Sequence, residues 1–197
     1  MYEKSLVIIK PDGVQRSLVG EIIARFEKKG LKISGMKLAL PTEDQVFAHY
    51  NKDEAWFQRK GDGVVKDRKA AGLPIEKEAI EYGRDIIGGI AKYMTAGPVV
   101  MMVLEGHQAT AVVTNLVGGT EPANADVGTI RGDFTIDSYA LSAADDRAVR
   151  NVIHCSEDAA EGERETKIWF DDNELIDYRI VQERILYDVE WGGIMKD

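Results

Sequence analysis

Ser5-Leu-Val-Ile-Ile9, followed at once by Lys10-Pro11-Asp12-Gly13, decides the fold. Four consecutive apolar residues leave no polar alternate face, so the segment predicts a short strand buried on both sides, and Pro11-Asp12-Gly13 is turn chemistry that must end it. Lys10 therefore stands where buried strand meets loop. Beyond the turn, Val19, Ile22, Ile23 and Phe26 recur at i, i+3, i+4 and i+7; Lys28 and Lys29 suit a last turn and Gly30 the position after it, which predicts an amphipathic helix.

The same reading continues along the chain. Residues 31–40 have the apolar content of a strand, and Thr42-Glu-Asp-Gln45 has capping-box spacing for a helix carrying His49 and Tyr50. Residues 98–104 form a central strand, and Ala109, Val112, Val113 and Leu116 are the buried stripe of a helix that Gly118-Gly119 stops. Val152-Ile-His154 is a short strand, with Ser156 or Asp158 available to cap the next helix. Strand, helix, strand, strand, helix, strand is the split βαβ order, so the expected fold class is α+β: a ferredoxin-like βαββαβ antiparallel sheet with helices.

Two polar excursions interrupt that order. Residues 51–83 shift to charged composition with scattered glycines, and Pro74 suits the first turn of a helix. Residues 139–149 form the second. With 197 residues against a prior of about 150 per domain, 1–197 is expected to be one domain with these insertions and a C-terminal extension from about 175 to 197. In that extension Ile176, Tyr178, Ile180, Ile185, Leu186, Val189 and Trp191 gather apolar surface of the kind that marks a subunit interface, so a homo-oligomer is expected.

Composition narrows the function. The longest apolar run, 99–104, is far short of the ~20 residues that span a bilayer, and the N-terminal apolar stretch is too short for a signal-peptide core. No membrane association is expected, and the single cysteine, Cys155, agrees with a reducing, cytoplasmic location. Net charge of −9 has the wrong sign for non-specific duplex binding, so no specific nucleic-acid partner is expected and an anionic ligand must meet a few placed cations.

Three histidines offer chemistry. His49 in a polar helix and His107 at the start of another read as ordinary surface or capping residues. His154 ends an apolar strand, where a neutral imidazole can act as base, ligand or nucleophile. Glu165 lies on the following helix with Ile168 at i+3 and Trp169 at i+4, which places a carboxylate on the stripe to be buried. A buried carboxylate needs a partner, and bonding one ring nitrogen of His154 would fix the tautomer and leave the other nitrogen as nucleophile. Asn151 and His154 face opposite ways in a strand of period two, so the strand must bend or end between them if both serve one site. Lys10 and Arg131 are isolated cations of the type that grip phosphate, while Walker and Rossmann glycine patterns do not occur.

Seven segments now stand in order: Ile9-Lys-Pro-Asp-Gly-Val-Gln-Arg16 with Leu18-Val-Gly-Glu-Ile-Ile23, His49-Tyr50, Lys92-Tyr-Met-Thr-Ala-Gly-Pro-Val-Val100, Thr120-Glu-Pro-Ala123, Gly128-Thr-Ile-Arg-Gly-Asp-Phe134 and Arg150-Asn-Val-Ile-His154. By them the sequence resembles the nucleoside diphosphate kinases. The resemblance implies ping-pong transfer of the γ-phosphate of a nucleoside triphosphate to a nucleoside diphosphate through a phosphohistidine on His154, oriented by Glu165. It implies nucleotide binding by Lys10, Tyr50, Thr120, Arg131 and Asn151, and Mg2+ held through the nucleotide phosphates rather than by protein ligands. Dimers assembled into hexamers or tetramers are implied as well.

The chain departs from the family pattern at four positions. Thr114 stands where a second phosphate-binding arginine is usual, and Ile86 where an aromatic stacks on the base. After His154 the usual small residue, serine and aspartate read Cys155, Ser156 and Glu157. Thr114 and Ile86 motivate the alternative of a catalytically impaired nucleotide-binding or scaffold homologue, against which the joint presence of His154, Lys10, Asn151, Arg131 and Glu165 favours the enzyme.

Overall fold

The structure is a computed structural model that describes residues 2–189. In chain order its elements are β1 (Tyr2–Ile9), α1 (Pro11–Gln15), α2 (Val19–Lys29), β2 (Lys32–Ala39), α3 (Glu43–His49), α4 (Glu54–Ala70), α5 (Ala79–Met94) and β3 (Val99–His107). There follow α6 (Ala109–Val117), α7 (Ile130–Phe134), α8 (Tyr139–Ala144), β4 (Ile153–Cys155), α9 (Ala159–Trp169) and α10 (Val181–Tyr187), with single 3-10 turns at Pro122–Asn124 and Asp172–Glu174. The four strands pair antiparallel in the order β2-β3-β1-β4, the expected α+β arrangement.

Period-two alternation on the two central strands builds two cores. Val7, Ile9, Val100, Met102 and Leu104 face α2 and α6, meeting Ile22, Phe26 and Val113. Leu6, Ile8, Val99, Met101 and Val103 face the other way, onto Val46 of α3, Ala91 and Met94 of α5 and Trp169 of α9. Helices on both faces explain why the 5–9 stretch carries no polar alternate. Local chemistry sets the ends: the Thr42–Gln45 capping box opens α3, Gly30 at φ 93° closes α2, and Asp158 accepts from the Glu161 N–H to open α9. Ser156 is left for another task.

Helix α9 rests on β1 closely enough that a Cβ added at Gly162 would lie 2.2 Å from the carbonyl oxygen of Lys4. Residues 51–83 hold α4 and the first turn of α5, which pair as a helical hairpin; at Gly61 an added Cβ would sit 1.6 Å from the Ala79 carbonyl oxygen. Pro74 lies in the connection, ahead of α5 rather than in its first turn, because Glu78 supplies the N-cap instead. Residues 139–149 contain α8, capped by Ser138, and Arg147 bridges back to Asp137 at 2.6 Å. Of the C-terminal apolar residues, Ile176, Tyr178, Ile185, Leu186 and Val189 are exposed, while Trp191 lies outside the described residues.

Candidate active site

His154 on β4 is bracketed by β1 and α9. Its Nε2 stands 3.2 and 3.1 Å from the two carboxylate oxygens of Glu165, and no hydrogen bond engages Nδ1 among the described residues. A carboxylate only accepts, so Nε2 carries the proton and the lone pair resides on Nδ1. Burial pushes the His154 pKa well below its ordinary value, reinforced by the charges of Lys10, Arg131 and Lys52, and the ring is neutral at physiological pH. Glu165 is 4% exposed; burial raises its pKa, opposed by His49 and by the Ser156 hydroxyl, which donates to Oε2 at 2.6 Å. Ser156 in turn accepts from the Leu6 N–H at 3.0 Å, so the carboxylate is anchored to β1.

Lys10, at the end of β1, is buried and donates to Asn151 Oδ1 at 2.6 Å. Burial, with Arg131 nearby, lowers its pKa to about 7. Arg131 lies in the first turn of α7, and its guanidinium spans the carbonyls of Gly118 and Ile153 at 2.8 Å each. Asn151 donates to the Thr120 carbonyl at 3.0 Å, drawing that loop to the end of β4. Between Asn151 and His154 the backbone turns: Val152 has φ 66°, and the Ile153 N–H donates to Asn151 O at 2.7 Å. Tyr50 packs edge-on 5.9 Å from the His154 ring, and burial raises its hydroxyl pKa. The seven residues singled out from sequence thus converge directly or through one intermediate contact.

His49 departs from its surface reading. It is 1% exposed, its ring centroid lies 4.4 Å from that of His154, and its Nε2 is 3.5 Å from Glu165 Oε1. The signal was present: His49 follows Val46 by three residues on the buried side of α3, but the polar neighbours Glu43, Asp44 and Gln45 masked it. Thr114 is exposed beside the site, its hydroxyl 3.9 Å from Cys155 Sγ. Of the arginines in or bordering the 51–83 insertion, Arg68 donates to the Pro74 carbonyl and Arg84 pairs with Glu54, so both are engaged within the hairpin.

Among the described residues, the His, Cys, Asp or Glu side chains that converge as potential metal ligands are His49, His154 and Glu165, with ligand atoms within 4.8 Å of one another. Two imidazoles suit a softer ion than magnesium, which prefers six oxygens. The Trp169 indole N–H donates to His49 Nδ1 at 3.1 Å, which uses that lone pair and leaves the proton of the neutral ring on Nε2, the atom a metal would need bare.

The family model for nucleoside diphosphate kinase matches residues 3–91 and 81–175. A nucleoside diphosphate kinase of Pyrobaculum aerophilum is 43% identical over 180 residues, covering 89% of this chain and 98% of that one. The crystal structure of an NDP kinase from the same organism aligns with TM-score 0.86 at 42% identity, over 90% of this chain and 100% of that one. A transition state mimic of nucleoside-diphosphate kinase from Borrelia burgdorferi, with bound vanadate and ADP, aligns with TM-score 0.77 at 34% identity, over 93% and 96%.

Proposed function

The chain belongs to the nucleoside diphosphate kinase family, and from that premise we propose that it carries the γ-phosphate of a nucleoside triphosphate to a nucleoside diphosphate through His154. The observation that carries the reading is the His154 ring: neutral, oriented through Nε2 by Glu165, with the Nδ1 lone pair free beside Lys10 and Arg131. Nδ1 attacks the γ-phosphorus in line, the bond to the bridging oxygen breaks, and the nucleoside diphosphate leaves. The terminal phosphate oxygen of a second diphosphate then attacks the phosphohistidine in reverse. Such a transfer needs chiefly positioning and charge stabilisation. Buried Lys10 and Arg131 supply cations, Asn151 fixes Lys10, and the Thr120 loop and Tyr50 close the walls. The solved relative with vanadate and ADP supports the same course. The reading rests on His154, Glu165, Lys10, Asn151 and Arg131 lying in one site, and it is preferred on that ground to the impaired-homologue alternative that Thr114 and Ile86 motivate.

The family generally uses a divalent cation. Magnesium is the ion proposed here, carried on the nucleotide phosphates and water, because the converging donors of the chain are imidazoles and a carboxylate already engaged. It would neutralise phosphate charge when bound. Residues 1–197 are read as one domain with insertions 51–83 and 139–149. The chain is read as a homo-oligomer, hexamer or tetramer: besides the C-terminal apolar residues, the end strand β2, whose outer rim meets the 174–178 segment at Ser34, exposes Met36 and Leu38, with Leu40 just beyond. No helix of the described residues is long and apolar enough to cross a membrane, and a cytoplasmic location is proposed from the lone free Cys155.

The test is incubation with γ-labelled ATP. Label retained in base, lost in acid and transferred to GDP is the expected result. Absence of label on the intact protein, or its persistence in His154→Ala, overturns the mechanism.

A further inference from the structure

Glu165 receives more donors than orienting His154 requires. Ser156 donates to Oε2, His154 Nε2 faces both oxygens, and His49 Nε2 lies 3.5 Å from Oε1. The His49 contact is longer than a formed hydrogen bond, and Nε2 is a buried polar atom without another partner among the described residues. Its protonation is not free to vary. The indole of Trp169 can only donate, so the His49 atom it meets, Nδ1, must accept, and the proton of the neutral ring sits on Nε2, aimed at the carboxylate. Burial and the neighbouring His154 hold the His49 pKa down at about 2, so this neutral tautomer persists across the working range. A buried N–H with no partner costs free energy until it finds an acceptor. The acceptor in reach is the carboxylate that must stay ionised and aligned while charge develops on His154.

We propose that His49 is a positioning residue: its Nε2–H, fixed in tautomer by Trp169, closes onto Glu165 Oε1 in the reacting state and holds the carboxylate ionised and aimed at His154 Nε2. The chain of bonds runs from the Trp169 indole through His49 and Glu165 to His154, so a residue remote from phosphate sets the basicity of the nucleophile. The inference rests on the phosphohistidine reading. Catalytic contacts that are long in the free enzyme commonly tighten in the transition state, which accounts for the 3.5 Å separation. The remaining charges around the pair are Glu161 and Arg164 on α9 and Lys10, Lys52 and Arg131 on the nucleotide side; they are untouched in the variants below and form a common background.

The experiment measures single-turnover phosphorylation from γ-labelled ATP between about pH 5 and pH 9, together with ADP affinity, for the parent, Trp169→Phe, His49→Leu and His49→Gln. Loss of the donor leaves Glu165 protonated to higher pH. Trp169→Phe and His49→Leu are therefore expected to slow phosphorylation about ten-fold or more and to move the acid limb of the profile upward, with ADP affinity unchanged; each ten-fold corresponds to 1.36 kcal/mol of barrier. His49→Gln, whose amide can donate to the carboxylate, should recover most of the rate and the original acid limb. A rate and acid limb unmoved in His49→Leu, or a Gln variant that falls as far as Leu, overturns the proposal. Nitrogen NMR of His49 in the parent protein tests it without any variant: a proton on Nε2 is expected, and a proton on Nδ1 refutes it. A parent protein that takes no acid-labile label removes the phosphohistidine reading first and this inference with it.

Discussion

Lys10 donates a 2.6 Å hydrogen bond to the side-chain oxygen of Asn151, and among the described residues no carboxylate forms an ion pair with it. A buried ammonium that leans on a neutral amide is poised for an anion that arrives with the ligand. Its pKa, lowered to about 7, leaves Lys10 mostly neutral at pH 8, and a bound phosphate restores the charge by favouring the protonated form. Nucleotide binding at pH 8 should therefore take up about one proton, and near pH 5 almost none. Calorimetry of ADP binding in buffers of differing ionisation enthalpy reads this directly. Uptake should vanish in Lys10→Met, and a binding enthalpy independent of buffer at pH 8 would count against the assignment.

Glu165→Gln should keep the fold and slow phosphorylation of His154. The amide preserves shape and can still accept from one donor, but it cannot stabilise positive charge on the imidazole. Pre-organised contacts of this sort are worth about 2.7 to 4 kcal/mol in other enzymes, or roughly two to three powers of ten in rate. Quench-flow with labelled ATP would show it, and a parental rate would mean that the 3.1 Å contact does no work in the reaction.

Thr114 holds a short uncharged side chain beside the nucleophile, its hydroxyl near Cys155. Restoring a cation there, Thr114→Arg, should raise kcat/KM about ten-fold, since a charge-assisted bond contributes ~1.5 to 3 kcal/mol. With Arg68 and Arg84 held inside the hairpin, Arg68→Ala and Arg84→Ala should leave turnover unchanged. Arg59, exposed on α4, serves as the third control. A null effect of Thr114→Arg together with loss at any of these three arginines would assign the α4–α5 hairpin to the active site instead.

At Gly61 the backbones of α4 and α5 come together with no room for a methyl group. Gly61→Ala should force the helices apart at a cost of about 1 to 3 kcal/mol, lowering Tm and opening the α4–α5 connection to limited proteolysis. Unchanged cleavage and Tm would show the hairpin to be more compliant than its packing indicates.

Light scattering at micromolar concentration should give a mass several times that of the 21.8 kDa chain. Leu38→Asp, at an exposed apolar position of β2, should reduce it, and a monomeric parent would refute the assembly.

Much of this fold follows from the sequence because its strongest signals are periodic: the apolar 5–9 stretch, the α2 stripe and the Thr42 cap each dictate structure within a few residues. The site is less legible where backbone leaves the regular period. Asn151 and His154 point to opposite faces in an extended strand, and they share a site only because Val152, a β-branched residue, adopts φ 66° in a tight turn ahead of Ile153. No propensity favours that conformation at valine; the surrounding contacts, including the Lys10 N–H on the Val152 carbonyl at 2.8 Å, impose it. His49 was hidden for a different reason: its polar neighbours on α3 masked the buried side, and its partners Trp169 and Glu165 come from more than a hundred residues away. Glu165, by contrast, was readable because a carboxylate on an apolar stripe breaks the pattern locally.

Gly162 lies three residues before Glu165 on α9, pressed against the Lys4 carbonyl of β1, while Ser156 ties the carboxylate to Leu6 of the same strand. The gap between carboxylate and nucleophile is consequently gauged by main chain resting on main chain. Side chains of the two cores can be exchanged over generations for others of similar bulk without resetting that gauge, whereas a single methyl group at residue 162 would displace the whole helix and detune the histidine from a distance.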